Sequence, residues 1–462
     1  MKSRSMPCST SLAAAVVAAF GLCAPSWVGA TTRLVANCDD AGPGSLRATV
    51  AVADDGDTVS LSGLYCPSSV ISLTTGAVVV PQNNLTIAGD SSVALVGKYD
   101  RVFDHKGVGT LTLTDVIVGP ATAAPSSYGY AQGGCIRSYG TVSVYGSLVN
   151  GCVAEAPYGN AYGGAIFALG NVNIKYSQVS DSTGSAHYAG GVYGGGVFAF
   201  GELKARYSTI SGNQAKSANG KGGGVLVLGN VTLDHVTMAG NSAGLEGGAL
   251  YRKGSGAGSV TIRSSTISGN QSAFTVGGLH IESTPSVTIA NSTIAFNSSA
   301  YGFYGAGLNV RTGVGPGASN VNLKLQSTLI SNNKAGASDL DFAGISLAPK
   351  SVTFDQASSA NFIRVPSDDL LPPAGTLVVT CPLLGPLRDN GGGLPTHALM
   401  SGSAAIDSGS NPNDESQDQR GIGTNSSLYP RISKGAADIG AYEINQADAI
   451  FSSGLDGCTP AD

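Results

Sequence analysis

The chain has 462 residues, 66 of them glycine, with 12% charged side chains and a formal net charge of −5. That glycine share is about twice, and the charged share about half, what an ordinary globular domain carries. Without a Gly-X-Y period the glycine must serve turns and close backbone approach, and so mild a charge with no long basic tail argues against a nucleic-acid partner.

The first thirty residues read as a secretory signal: Lys2 and Arg4, an apolar run from Leu12 to Leu22, and a small-residue cleavage site ending at Ala30. No later run is apolar enough to cross a membrane as a helix. The next stretch contains a short helix pattern from Ser45 to Ala53, with Leu46, Val50 and Thr49 facing inward. It is the natural cap for a repetitive coil whose first turn would otherwise expose apolar core and unpaired backbone. Strands are expected at Thr58 to Leu61, Val70 to Leu73, Ala77 to Val80, Leu85 to Ile87 and Leu111 to Leu113.

From Gly133 to Asn333 one phrase is written seven times, its openings 24 to 32 residues apart: a pair of small residues, as at Gly163-Gly164, Gly195-Gly196, Gly223-Gly224, Gly247-Gly248 and Gly277-Gly278, and then an apolar strand. A second alternating strand follows, such as Val231-Thr-Leu233 or Val287-Thr-Ile289, and then a Ser-Thr-Ile-Ser-Gly-Asn-like close. A fixed period without helical segments predicts a solenoid of stacked strands, an all-β parallel β-helix with rungs about 4.8 Å apart. The domains expected are a signal peptide (1–30), an N-terminal cap and first strand (31–69), parallel β-helix repeats (70–345), irregular last rungs (346–382), and a C-terminal segment and tail (383–462).

Alternation assigns faces. In the opening strand, Val197 and Ala199, Val225 and Val227, Leu279 and Ile281, and Leu308 and Val310 should point inward. Ile166, Phe198, Phe200, Leu226 and Leu228 would then form an outward apolar stripe, covered by a loop or by the C-terminal segment. Arg137 violates the pattern. Beyond the stripe come Arg252, then His280 with Glu282, then Asn309 with Arg311. These are the candidate catalytic group: Glu282 as base or cation ligand, His280 as acid or base, Arg252 and Arg311 holding a carboxylate, and Asn309 binding ligand. The second strand offers an outward series Lys175, Arg206, Asp234, Arg263 and Ala290. It reads either as charges that compensate one another across rungs or as a basic, hydroxyl-rich strip that binds an acidic polymer such as a uronate-containing glycan. The repeated Asn213, Asn241, Asn270, Asn297 and Asn332 read as a structural ladder. Tyr128, Tyr130, Tyr158, Tyr162, Tyr188, Tyr193, Tyr301 and Tyr304 either fasten loops or contact sugars.

Six cysteines follow the signal: Cys38, Cys66, Cys135, Cys152, Cys381 and Cys458. In an exported chain they favour disulfides, and proximity suggests Cys38 with Cys66, Cys135 with Cys152 and Cys381 with Cys458. Asp407, Asp418, Arg420, Asp438 and Glu443 sit among small apolar residues near the end. They read as ion pairs pinning a C-terminal cap, with a calcium site as the sharper alternative and no other cofactor called for.

The ordered series Asn390-Gly-Gly-Gly, Thr396-His-Ala-Leu, Gly402-Ser-Ala-Ala-Ile-Asp, Asp418-Gln-Arg-Gly and Asp438-Ile-Gly-Ala-Tyr-Glu resembles the choice-of-anchor Q domain of bacterial exported proteins, over roughly Leu383 to Glu443. The Gly-Gly-Ala-Ile-Phe and Ser-Thr-Ile-Ser-Gly-Asn phrases resemble right-handed parallel β-helix and polymorphic outer-membrane-protein repeats. What the resemblance implies is a right-handed coil at the cell surface or secreted. This chain differs from anchored members in lacking a wall-sorting motif or terminal transmembrane helix. Two function classes are carried forward. One is a structural, adhesive or glycan-binding rod whose partner is a polysaccharide or a cell-surface protein. The other is an extracellular polysaccharide lyase or glycoside hydrolase acting on an acidic glycan.

Overall fold

The computed structural model describes residues 29–444 apart from 126–128, 189, 255, 303, 380, 423–427 and 434. The signal-peptide reading, Tyr128 and the pairing of Cys381 with Cys458 fall on residues outside that set. Within it the chain is a parallel β-solenoid of about 11 turns. No helix among the described residues is long and apolar enough to cross a membrane.

One turn shows how the sequence builds the coil. An opening strand Leu250–Lys253 leads to a second strand Ser259–Arg263, a third Thr266–Ser268 and a fourth Gln271–Ser272, and the next opening strand is Leu279–Glu282. Each pairs in parallel with its counterpart one turn on, as in Leu250 with Leu279 and Thr266 with Thr293. Inward residues of all turns join one continuous core, including Val197, Val225, Leu279 and Leu308 as the alternation requires.

Corners are made by single left-handed residues. Between the second and third strands they are Tyr176, Tyr207, His235, Ser264, Asn291 and Ser327, with φ of 43–55°. Non-glycine residues rarely adopt this region, so its recurrence on six successive turns marks a one-residue bend imposed by the coil. After the third strand a second corner, Gly212, Gly240, Gly269, Phe296 or Asn332, precedes a buried asparagine. Nδ2 of Asn213, Asn241, Asn270 and Asn297 donates to Oδ1 of the next asparagine at 2.8–3.0 Å, so the expected ladder is present. Its last member is Asn333 rather than Asn332, because Asn332 occupies the corner. Asn333 in turn donates to Asp341 Oδ1 at 2.9 Å, which ends the ladder on a carboxyl group.

Two opening-strand assignments are corrected. The corner glycine, not the glycine pair, sets the register, and the first core residue is the third after it: Gly163 leads to Ile166 as Gly194 leads to Val197. Ile166 is therefore core, and Phe167 takes its outward place beside Phe198. By the same shift Arg252 aligns with Val227 and Ile281 on the inward side, and Tyr251 is outward. Arg137 then violates nothing, since it faces out against Asp104 at 2.7 Å.

The helix Leu46–Ala51 buries Leu46, Thr49 and Val50, with Ser45 as its N-cap. Gln82 fixes its end by donating to the carbonyls of Val50 and Ala53. Disulfides join Cys38 to Cys66 and Cys135 to Cys152, with Cα separations of 5.8 and 5.4 Å.

The C-terminal segment lies on the outer face of the third strands rather than on the opening-strand stripe. Leu384, Leu399, Ala405 and Ile439 pack against Ala295, Leu329 and Phe362. Beyond them the seat is polar: Ser268 meets His397 at 2.8 Å, Ala441 N donates to Thr293 at 3.0 Å, and Thr266 donates to Gln419. The segment thus forms a strap over the later turns. The opening-strand stripe is covered instead by residues just before each corner, with Tyr162 edge-on to Phe198 at 5.2 Å and stacked on Tyr193 at 5.1 Å.

Candidate functional site

His280, Glu282, Asn309 and Arg311 come together as expected, on two adjacent opening strands. Lys221, Glu246 and Tyr251, which sequence reasoning passed over, complete the group. Tyr251 donates to Glu282 at 2.8 Å, Arg311 lies 3.3 Å from Glu282, and Lys221 lies 3.4 Å from Glu246. The centre of the group is closed, with His280 1% exposed and Asn309 fully buried, while Glu282, Arg311, Lys221 and Glu246 are half-buried around it. Glu246 Oε2 lies 3.7 Å from His280 Nδ1, but neither ring nitrogen has a hydrogen-bond partner among the described residues. Burial, with the Arg311 and Lys221 charges, holds this histidine neutral, its pKa well below the usual value. Burial and the neighbouring Glu282 and Glu246 charges push the Tyr251 hydroxyl up.

Arg252 does not belong to this group. It donates to the carbonyls of Gly229 and Ala257 and to Thr284 Oγ1 at 2.6–3.1 Å, clamping the loop after its own strand to the next turn. No carboxylate lies within ion-pair distance of it among the described residues, and burial pushes its pKa down to about 10. A phosphate- or uronate-holding role would need its guanidinium at the surface, and the register directs it inward.

The second-strand series stands in register at the edge of the coil: Lys175, Arg206, Asp234, Arg263. Asp234 receives Arg206 at 3.0 Å, Arg263 at 3.7 Å and His235 Nδ1 at 2.7 Å, so it compensates both arginines. Burial pushes the Asp234 carboxyl up, but the His235 hydrogen bond and the positive neighbours outweigh it and leave the pKa lowered. Lys175 is different. Its ammonium lies over the rings of Tyr145 and Tyr176, 5.6 and 5.0 Å from their centroids, and no carboxylate pairs with it among the described residues. The left-handed corner puts Tyr176 and Tyr207 one above the other, stacked at 5.3 Å, with His235 4.6 Å beyond.

This edge borders a cleft. A cavity of about 640 Å³ lies between the coil, through Ile117, Leu148, Tyr176, Gln178, Tyr207 and Thr209, and the strap, through Gly392, Gly393, Leu394, Gln417 and Arg420. A second cavity, of about 260 Å³, shares Tyr207 and Gln417 with it and holds Arg206, His235, Arg263 and Glu415. The first cleft is mixed in character, with aliphatic and tyrosyl surface beside amide and hydroxyl groups, and its size is that of small-ligand sites, about 300–1,000 Å³. None of the seven described tyrosines among those singled out from sequence lines it. Tyr176 and Tyr207 went unrecognised because they hold no loop position; the signal was their place one residue beyond Lys175 and Arg206.

The strap side is held by the charges read as a cap. Asp418 and Arg420 pair at 2.7 Å with both side chains buried, and Arg420 lies between Tyr429 and Tyr442 at 4.0 and 3.9 Å. Asp438 N donates to Glu443, and the backbone of Glu443 donates to Asp418. Among the described residues no group of three or more His, Cys, Asp or Glu is arranged to hold a metal ion.

Compared with family models, curated proteins and solved structures, the chain matches none. What stands of the family resemblance is the parallel β-solenoid itself.

Proposed function

We propose that this chain is an exported rod, at the cell surface or secreted, that binds an acidic glycan in the cleft between its corner tyrosines and its strap. The observation that carries the reading is the 640 Å³ cleft whose lining residue Tyr176 has the Lys175 ammonium over its ring, a surface cation left uncompensated among the described residues while Arg206 and Arg263 share Asp234. Sugars need a surface that is part apolar and part hydrogen-bonding, and a uronate adds a carboxylate that such a cation attracts. The signal-like leader, the disulfides and the choice-of-anchor resemblance all favour an oxidising, extracellular setting. Burial of His280 and Asn309 argues against chemistry at the cluster first suspected of it.

The test is retention of the purified mature chain on immobilised polygalacturonate and on neutral dextran. Retention on the uronate polymer at low salt, release as ionic strength rises, and a 2- to 5-fold loss in Lys175→Ala are expected for an exposed cation contact worth up to about 1 kcal/mol. Equal retention on both polymers, or on neither, contradicts the reading. Unsaturated uronates appearing during the incubation would transfer it to a lyase.

A further inference from the structure

The outward residues of the third strands form one ladder along the rod. Leu148, Gln178, Thr209 and Thr237 follow one another in parallel register. The cleft floor uses the first three of these. At the fourth the ladder closes: Thr237 Oγ1 donates to the Pro395 carbonyl at 2.8 Å and accepts from Gln419 Nε2 at 2.9 Å. Thr266 and Thr293, the next two rungs, are likewise taken by the strap.

The wall that closes it is stiff. Arg388–Asp389 pairs antiparallel with Pro395–Thr396, and the loop between them is the Asn390-Gly-Gly-Gly phrase. Asp389 Oδ1 accepts from the backbone of Gly391 and Gly393 at 2.8 and 3.0 Å, and Asn390 Nδ2 reaches the Thr396 carbonyl at 2.9 Å. A Cβ on Gly392 would come within 2.4 Å of the Arg420 carbonyl, so glycine lets the loop sit directly on the strap.

From this we infer that the cleft, blind along the third strands, takes the end of a uronate chain, not its interior. A polymer lying along the open ladder runs into the Gly392–Leu394 wall at Thr209 and the Pro395 contact one turn beyond, so an interior segment cannot continue along the third strands; what adjoins past Tyr207 and Gln417 is the smaller cavity of about 260 Å³. The inference rests on the glycan-binding reading and specifies which part of the polymer is recognised. It also gives the Asn390-Gly-Gly-Gly phrase a role, as end wall.

The test is competition for the full mature chain between immobilised polygalacturonate and free galacturonate oligomers of defined length, compared at equal mass and at equal concentration of chain ends. Expected is inhibition that follows chain ends, so that a hexamer outcompetes the long polymer by more than 10-fold at equal mass, together with loss of retention in Thr209→Trp, which fills the cleft floor from an outward position. Inhibition that follows mass regardless of length overturns end capture and leaves glycan binding standing. No inhibition and no retention for any uronide overturns both. Thr209→Trp binding as well as the parent, with an unchanged thermal midpoint, overturns the location.

Discussion

Thr237 Oγ1 and the carbonyl of Pro395 are 158 residues apart in sequence and hydrogen-bonded at 2.8 Å. With Gln419 on the same hydroxyl, this contact is where the C-terminal segment becomes part of the coil's surface and where the open face of the third strands stops.

Thr237→Val keeps the β-branched shape and removes both partners. A loss of about 1–3 kcal/mol is expected from the orphaned groups. It should appear as faster hydrogen exchange over residues 388–396 and 417–420, with the coil's own third strands unchanged. Uniform protection across the strap would show that the contact does not hold it.

The asparagine ladder carries more than any single surface contact. Asn270 accepts from Asn241 and donates to Asn297 and to the Met238 carbonyl, all within the buried interior. Asn270→Ala strands several of these groups at once, and about 3–5 kcal/mol of destabilisation is expected by urea unfolding. A cost below about 1 kcal/mol, the size of an ordinary surface substitution, would mean the ladder is incidental.

Arg252 separates packing from binding. Arg252→Ala leaves a void beside Val227 and Ile281 and abandons the Gly229 and Ala257 carbonyls, so about 2–4 kcal/mol of stability should be lost. Uronate retention by the folded variant should equal that of the parent chain. Selective loss of retention at unchanged stability would return Arg252 to a ligand-binding role.

Acid–base linkage has a definite sign here. Burial pushes the carboxyls of Asp341, at the ladder's end, and Glu443, in the strap, up to about 7. A carboxyl raised above its unfolded value contributes stability fully present below about pH 4 and lost as pH rises through about 7. His397, which burial pushes down to about 4, contributes the opposite: stability present above about 6.5 and lost as pH falls toward 4. His280 and His105, also lowered by burial, act with His397 between pH 5.5 and 6.5, whereas above pH 6.5 the carboxyl loss continues. The urea midpoint should therefore be lower at pH 8 than at pH 6.5, and an equal or higher midpoint at pH 8 contradicts the assignment.

The coil was legible because its rule is local. Alternation placed Val225 and Val227, or Leu308 and Val310, in the core, and the recurring Asn-after-corner announced the ladder. One residue decides register: the Gly-Gly pairs in the sequence point Ile166 and Arg252 outward, whereas the left-handed corners turn both inward. The candidate site was legible in part. His280, Glu282, Asn309 and Arg311 do meet, but the group also takes in Lys221 and Glu246, which lie just before corners of earlier turns and carry no signal of their own. The cleft was not legible at all, because Thr209 meets the Gly392–Leu394 loop only through a long-range docking that no periodicity encodes.

The most direct test of the account is hydroxyl-radical footprinting of the mature chain with and without a galacturonate hexamer. Protection is predicted at Tyr176, Leu148 and Leu394, which line the cleft, and not at Tyr158 or Tyr188, which are exposed elsewhere on the rod. Protection confined to Tyr158 and Tyr188, or no protection with the hexamer bound, would contradict the assignment of the cleft as the binding site.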